Sequence, residues 1–128
     1  MKLLLDTHLL LWAAQGFESL PPEAQTLMGV PEHELIFSVA SLWEVVIKCG
    51  LGRDDFQVDP RLLRRGLLDN GYHELPILSE HVVVIGGLPP LHKDPFDRLL
   101  IAQAMVEGIT LLTVDARVAE YPGPIHRV

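Results

Sequence analysis

The amino-acid sequence predicts an α/β protein, a three-layer α/β/α sandwich around a central, mainly parallel sheet of four to five strands. Strand-like and helix-like segments alternate along the chain, which favours a parallel sheet with helices on both faces. The strongest strand candidates are continuous apolar runs, as expected of strands buried on both faces. The 128 residues, of which 48% are hydrophobic and 21% charged, fit a single domain over residues 1–128.

The first half of the chain opens with Leu3-Leu4-Leu5, which we expect to form a central strand. A helix is predicted over residues 9–14 and ends at Gly16. A second helix begins at Pro21-Pro22, because proline suits the first helical turn, and runs to about Met28. The later elements of this half are a strand at 35–37, a helix at 42–49 into which Ser38 or Ala40-Ser41 leads and which Gly50 and Gly52 close, a helix from Pro60 to 68 stopped by Asn70-Gly71, and a short strand at 72–75.

The second half contains the clearest helix start in the chain, at Asp94-Pro95. Asp94 suits the N-cap, where its carboxylate accepts a free backbone N–H, and the fixed φ of Pro95 suits the first helical position. The helix that follows is apolar on almost every side, so we expect it to be buried. The other predicted elements are a helix from 79 that fades at 86–87, a loop at 88–91, the end of the buried helix at Glu107-Gly108, a strand at 109–114, a final helical turn and an edge strand at 125–127.

Composition excludes several classes of function. Cys49 is the single cysteine, so no internal disulfide can form, and no Cys/His spacing predicts zinc; a cytoplasmic location is expected. No uncharged apolar stretch is long enough to span a bilayer, so no membrane association is expected. The sequence has no glycine-rich phosphate-binding loop, which argues against NTP or NAD binding.

The net charge of −7 argues against a broad nucleic-acid-binding surface. A polyanionic substrate would therefore need a local basic rim or a bridging cation. The candidates for such a rim are Lys48, Arg53, Lys93 and Arg98.

Four acidic residues occupy positions that a parallel sheet brings to one edge. Asp6 and Asp115 follow predicted strands, Asp97 lies in the first turn of the buried helix, and Glu44 lies early in the helix after the second strand. Ligands of open parallel sheets bind beyond the carboxyl ends of the strands, where helix N-termini also lie. We therefore expect these four acids to converge on one rim.

Each acid also has a purely structural interpretation. Asp6 and Asp115 can cap the turns that follow them, and Asp97 can interact with the helix dipole alone. Glu44 can form a surface ion pair with Lys48, four residues later. The six histidines show no ligand spacing among themselves; His8 and His92 lie nearest the predicted site and are candidates for substrate contact.

Clustering of the acids predicts a metal site. Two carboxylates about 5 Å apart repel by roughly 3 kcal/mol at an effective dielectric constant of about 20. Four of them require protons or a cation. Oxygen ligands without cysteine or histidine favour Mg²⁺ or Mn²⁺.

Four stretches of the sequence together carry a family resemblance. They are Leu4-Leu5-Asp6-Thr7-His8, Ser38-Val39-Ala40-Ser41-Leu42-Trp43-Glu44 with Ile47-Lys48, Asp94-Pro95-Phe96-Asp97-Arg98-Leu99-Leu100-Ile101-Ala102-Gln103-Ala104, and Thr113-Val114-Asp115. With these stretches the chain resembles the PIN-domain family, and most closely its VapC-type toxins of type II toxin–antitoxin systems. The resemblance extends over nearly the whole chain, and its third stretch is the most specific.

The resemblance implies a PIN-like fold and a metal-dependent endoribonuclease that cleaves RNA phosphodiesters with a metal-activated water. Asp6 and Asp97 match metal ligands, Glu44 a ligand or water-orienting base, and Asp115 the residue that completes the metal site. Thr7 matches a hydroxyl residue that supports the ligand Asp. Asp94 also matches the pattern of the subfamily, although its first role is that of the N-cap, and Lys48 and Arg98 are further supporting positions.

The same resemblance implies a homodimer and a cognate antitoxin that blocks the acidic pocket. Trp12, Trp43 and Ile47 are apolar side chains that the core does not obviously need, so they are candidates for an interface. Two alternatives remain open: a catalytically inactive PIN-fold binding module, and an acid-cluster metal-dependent phosphatase. The phosphatase would be expected to carry a second Asp two residues after Asp6, where this chain has His8.

Substitution of the acids separates the metal-site interpretation from the capping interpretation. If like-charge repulsion dominates, Asp6→Asn and Asp97→Asn remove cleavage and leave the metal-free stability unchanged or raised. If capping dominates, either substitution lowers that stability.

Overall fold

The computed structural model describes residues 1–52 and 57–128, so the candidate rim residue Arg53 lies outside the described residues. Five parallel strands form its sheet, and six α-helices are found in the described part of the chain. The strands are β1 (Lys2–Leu5), β2 (Glu34–Ser38), β3 (His73–Leu75), β4 (Thr110–Thr113) and β5 (Ile125–Arg127). The helices are α1 (Thr7–Gln15), α2 (Pro22–Met28), α3 (Val39–Gly50), α4 (Pro60–Asp69), α5 (Ser79–Ile85) and α6 (Pro95–Glu107).

The strand order is β3-β2-β1-β4-β5, with every neighbouring pair parallel. The chain moves from β1 outward to β3 and then returns to the other side of β1 with β4 and β5. Because the order reverses at β1, the carboxyl edge between β1 and its neighbours is where an open parallel sheet binds ligands. The predicted α/β class is confirmed, and the sheet is wholly parallel where the sequence predicted a mainly parallel one.

The strand β1 divides the core into two parts. Leu3, Leu4 and Leu5 are completely buried. Leu3 and Leu5 point to one face, where they pack with residues of α1, α2, α3 and α4. Leu4 points to the other face and packs with residues of α6 and β4. Helices therefore cover both faces of the sheet, as the continuous apolar pattern of this strand predicts.

The predicted capping residues set the limits of several helices. The carboxylate of Asp94 accepts hydrogen bonds from the backbone N–H groups of Phe96 and Asp97 at the start of α6. Gly108 ends α6 with φ of 67°, a left-handed conformation that glycine adopts at little cost. Of the two predicted starts of α3 the structure has the earlier one, because the Ser38 hydroxyl caps the helix and Val39 is its first residue. The structure differs from the prediction at α1, which begins at Thr7, and in a short 3₁₀ turn at Phe17–Ser19 that follows α1.

A buried polar network connects β2 with α5 and α6. The Ser38 hydroxyl donates to Gln103 Oε1 at 2.6 Å, and Gln103 Nε2 donates to the Pro76 carbonyl at 3.2 Å. Gln103 and His81 are both completely buried. His81 Nδ1 accepts from the Leu78 N–H, which leaves Nε2 to donate to the carboxylate of Glu107. The network holds the start of α3 against the middle of α6.

Several large apolar side chains are exposed on α3, and they include two of the three interface candidates. Trp43 is 54% exposed and Ile47 is 41% exposed, whereas Trp12 is partly buried against the core. The Trp43 ring contacts Phe96 of α6 edge-to-face, with ring centroids 5.0 Å apart. Among the described residues, no helix is long and apolar enough to cross a membrane.

The buried network predicts the effect of removing Gln103. We expect Gln103→Leu to lower the free energy of unfolding by about 1–3 kcal/mol, because the Ser38 hydroxyl and the Pro76 carbonyl lose a buried partner. Urea denaturation measures the change. The control is Gln15→Leu at the exposed end of α1. Equal denaturation midpoints for the two variants would contradict the prediction.

Candidate functional site

Asp6 lies between the end of β1 and the start of α1, and its carboxylate is almost fully buried. Oδ1 accepts the Leu9 N–H at 2.8 Å and so caps α1. Oδ2 accepts the Thr113 hydroxyl at 2.8 Å and the Val114 N–H at 3.1 Å. Burial raises the pKa of Asp6 above its usual value, although these three hydrogen bonds oppose the rise. The carboxylate therefore joins the carboxyl ends of β1 and β4.

Glu44 approaches the same edge from α3 and is also buried. Its Oε1 accepts the Thr7 hydroxyl at 2.8 Å, and Ser41 Oγ lies 3.0 Å from the same hydroxyl oxygen. Its Oε2 is 2.9 Å from Lys48 Nζ, in the predicted i, i+4 pair. Burial of Glu44 makes this more than a surface ion pair. The Thr7 hydroxyl binds Glu44, whereas the hydroxyl that binds Asp6 is that of Thr113.

Asp97 lies in the first turn of α6, where His92 covers one of its oxygens. His92 Nε2 is 2.8 Å from Asp97 Oδ2 and 3.9 Å from Asp115 Oδ2. Burial, and next the negative charge of Asp94, raise the pKa of Asp97 to about 6. The hydrogen bond from His92 opposes this rise, and the charge of Glu44 adds to it. The pKa of Asp97 is therefore raised by acids on two elements, Asp94 at the start of α6 and Glu44 on α3.

Asp115 follows β4 and caps the turn that comes after it. Its Oδ1 accepts the N–H groups of Arg117 and Val118, and its own N–H donates to the Thr113 hydroxyl. The capping interpretation of Asp115 therefore holds. Oδ2 lies on the side of His92, as the 3.9 Å separation shows. Capping and a place at the site are compatible, because they use different oxygens.

Contacts through Thr113 and His92 thus connect Asp6, Asp115 and Asp97, whereas Glu44 is held near them by Thr7 and acts on Asp97 through its charge. The closest-spaced group has a different membership. In the described part of the chain, one group of three or more acidic, histidine or cysteine side chains has ligand atoms within 4.8 Å of one another: His92, Asp94 and Asp97. Asp94 is already used as the cap of α6. His92 is part of the cluster because it bonds to Asp97, a position that the spacing of the histidines did not predict.

The predicted basic rim is largely occupied by contacts within the chain. Lys48 pairs with Glu44. The guanidinium of Arg98 donates to the carbonyls of Pro89 and Ile85, at 3.0 and 3.2 Å, and to the Tyr121 hydroxyl at 3.0 Å. Lys93 is exposed beside His92. His8, the other histidine candidate, is exposed on α1 and stacks at a tilt on Trp12.

The chemistry of this edge fits a divalent cation. Its donors are mainly carboxylate oxygens, the ligands that Mg²⁺ and Mn²⁺ prefer. Burial raises the pKa values of both Asp6 and Asp97, and for Asp97 the negative charges of Asp94 and Glu44 add to the rise, so part of the rise at Asp97 comes from repulsion between carboxylates. A cation relieves that repulsion.

The contacts of Asp6 change the expected effect of Asp6→Asn. An asparagine presents an NH₂ group either to the Leu9 N–H or to the donors of Thr113 and Val114, so one buried donor loses its acceptor. We expect metal-free Asp6→Asn to be less stable than wild type by about 1–3 kcal/mol. Asp97→Asn, which relieves repulsion, serves as the comparison and should be neutral or more stable. Urea denaturation in EDTA measures both, and an Asp6→Asn variant as stable as wild type would contradict this expectation.

The raised pKa of Asp97 predicts a pH dependence of stability. Between its usual value of 3.8 and about 6, the folded state binds the proton more tightly than the unfolded state. Metal-free protein should therefore gain stability as the pH falls through this window, on the order of 2 kcal/mol from this group. Asp97→Asn should lose that part of the dependence, whereas the contribution of Asp6 remains in both proteins. If the free energies of unfolding of wild type and Asp97→Asn changed in parallel from pH 4 to 7, Asp97 would have an ordinary pKa.

Comparisons with known structures find the same fold in toxin–antitoxin complexes. VapBC2 from Rickettsia felis, bound to a DNA fragment from its promoter, matches with a TM-score of 0.73 and 14% identity over 100% of this chain and 99% of that one. DNA-bound VapBC from Salmonella typhimurium matches with a TM-score of 0.66 and 14% identity over 99% and 98%. A toxin–antitoxin complex from Klebsiella pneumoniae matches with a TM-score of 0.62 and 17% identity over 96% and 94%. At these identities the likeness shows the fold.

The sequence itself identifies the family. No curated protein sequence matches the chain. The family model of the PIN domain, however, matches residues 3–124, a span that includes the four acids and every strand except the last. The chain therefore belongs to the PIN domain family.

Proposed function

We propose that the chain is a Mg²⁺- or Mn²⁺-dependent endoribonuclease and the toxin component of a toxin–antitoxin pair. The observation that carries this proposal is the chain of contacts at the carboxyl edge of the sheet. Thr7 links α1 to Glu44, Thr113 links Asp6 to Asp115, and His92 lies between Asp97 and Asp115. Four elements thus direct carboxylates to one edge, more than helix capping requires.

The proposed roles of the acids follow from their surroundings. Asp6 and Asp97 would be metal ligands, with Asp115 completing the set. Glu44, oriented by Thr7 and Lys48, would be a further ligand or would orient the attacking water. Because the pKa of Asp97 is about 6, this side chain exchanges a proton for a cation at small cost near neutral pH. When bound, the cation supplies Lewis-acid stabilisation of the phosphodiester and lowers the pKa of a coordinated water.

The proposed partners are an RNA substrate, a cognate antitoxin and a second copy of the chain. Complexes of toxins with antitoxins have the same fold, which supports the antitoxin. The exposed apolar side chains of α3 and of the residue that follows it offer a surface for a protein partner; they are Trp43, Val46 and Ile47 on the helix and Leu51 after it. We further propose that residues 1–128 form one PIN domain, which the extent of the family match supports. We also propose a cytoplasmic location.

Cleavage of total RNA by the purified, antitoxin-free chain tests the proposed activity. We expect discrete fragments with Mn²⁺, none with EDTA, and a loss of about 100-fold or more in Asp97→Asn, since even indirect partners of a metal ligand are worth 10–100-fold. Asp69→Asn, at the exposed end of α4, is the matched control and should cleave as wild type does. Folded wild-type protein that leaves RNA intact with Mn²⁺ would favour the binding-module alternative.

A further inference from the structure

His92 is part of the site although it belongs to neither a strand nor a helix. It lies in the loop between α5 and α6, five residues before the carboxylate that it contacts. The side chain is 14% exposed, so both groups are largely shielded from water. The facing charged groups are Asp94 and Asp97 at the start of α6 and Asp115 at the end of β4. A hydrogen bond in such a place orients a carboxylate more strictly than one at the surface does.

The tautomer of His92 follows from its two nitrogens. An ionised carboxylate accepts and does not donate, so Nε2, at 2.8 Å from Asp97 Oδ2, carries the hydrogen. Nδ1 is buried, and no group in the described part of the chain hydrogen-bonds to it. When the hydrogen is on Nε2, the buried Nδ1 carries none, so no buried N–H group lacks an acceptor. His92 thus donates to Oδ2 and leaves Oδ1 of Asp97 for another partner.

Arg98 and Tyr121 fix the backbone that carries this imidazole. The Tyr121 hydroxyl accepts the His92 N–H at 2.8 Å and lies 3.3 Å from the His92 carbonyl oxygen. Arg98 donates to that hydroxyl, to the carbonyl of Pro89 in the same loop and to the carbonyl of Ile85 at the end of α5. Tyr121 itself is buried in the core. The loop is therefore held by a guanidinium and a phenol rather than by regular secondary structure.

We propose that His92 is a positioning residue for the metal centre: its Nε2–H orients the Asp97 carboxylate, and Arg98 and Tyr121 hold His92 in place. This inference deepens the proposed function and rests on it, because it assigns Asp97 to the metal. Partners of this kind hold a ligand oxygen in its binding orientation before the cation arrives. The role also accounts for the position of Arg98, which the sequence predicted to belong to a basic rim at the site.

Mn²⁺ binding, measured by calorimetry on the full chain, tests the proposal without requiring RNA cleavage. His92→Ala should weaken binding about 10-fold or more. His92→Gln should stay within about threefold of wild type, because the glutamine amide nitrogen reaches the position of Nε2 and donates a similar hydrogen bond. The matched control, His73→Ala on the exposed edge strand β3, should bind as wild type does. If His92→Ala bound Mn²⁺ as tightly as wild type, or more tightly, the proposal would be overturned.

Tyr121→Phe tests whether Tyr121 acts on the metal site by holding His92 in place, because the substitution removes the hydroxyl and keeps the ring in the core. It should weaken Mn²⁺ binding in wild-type protein and have no effect when His92 is already alanine. Equal losses in both backgrounds would show that Tyr121 does not act through His92.

A readout from metal-free protein separates this proposal from the proposed function. The Nε2–H proton of His92 should give an NMR signal protected from exchange in wild type, and Tyr121→Phe should weaken that protection. Absence of the signal in wild type would overturn the positioning role whatever the metal result. Wild-type protein that shows the signal but neither binds Mn²⁺ nor cleaves RNA would overturn the proposed function, and with it the role of His92 at a metal.

Discussion

The carboxylate of Asp6 is the contact on which the arrangement of the site depends. One oxygen caps α1, and the other accepts two donors at the end of β4, more than 100 residues away in the chain. It therefore joins the two strands on either side of the point where the strand order reverses. Burying a charge is costly, and the three hydrogen bonds offset much of that cost. A neutral side chain of the same size cannot make all of them.

The remaining acids reach the same edge through different elements, and their repulsion is reduced by separate partners. Lys48 and Thr7 bind Glu44, and His92 binds Asp97. The pKa of Asp97 is still raised to about 6, first by burial and then by the charges of Asp94 and Glu44, so repulsion among the acids is not fully removed. The two apolar clusters on the faces of the sheet stabilise the chain against this unfavourable charge. Such an edge is what a cation-binding site requires, since a fully compensated cluster would gain little from a cation.

Much of the fold is predictable because the regular elements carry local patterns. The run Leu3-Leu4-Leu5, the start of α6 at Asp94-Pro95 and its end at Gly108 each follow from the chemistry of a few adjacent residues. The carboxyl-edge position of Asp6 and Asp115 followed from the strand predictions alone. The exact ends of helices were harder to predict: α1 begins two residues before its predicted start, and the sequence left Ser38 and Ala40-Ser41 as alternative starts of α3, of which the structure has Ser38.

The partners of the site residues were not predictable, because they depend on the paths of loops. Thr7 adjoins Asp6 in the sequence but points to Glu44, since α1 turns its first side chain toward α3. Thr113 supports Asp6 instead, across two strands that pair only in the folded sheet. His92 was a candidate because it lies near the predicted site, but no spacing among the histidines predicts its contact with Asp97. It meets Asp97 because the loop before α6 folds back and Arg98, one residue after Asp97, holds that loop by its carbonyls. Arg98, which was predicted to belong to the basic rim, thus organises the backbone of the site, because its guanidinium donates hydrogen bonds to the carbonyls of Pro89 and Ile85.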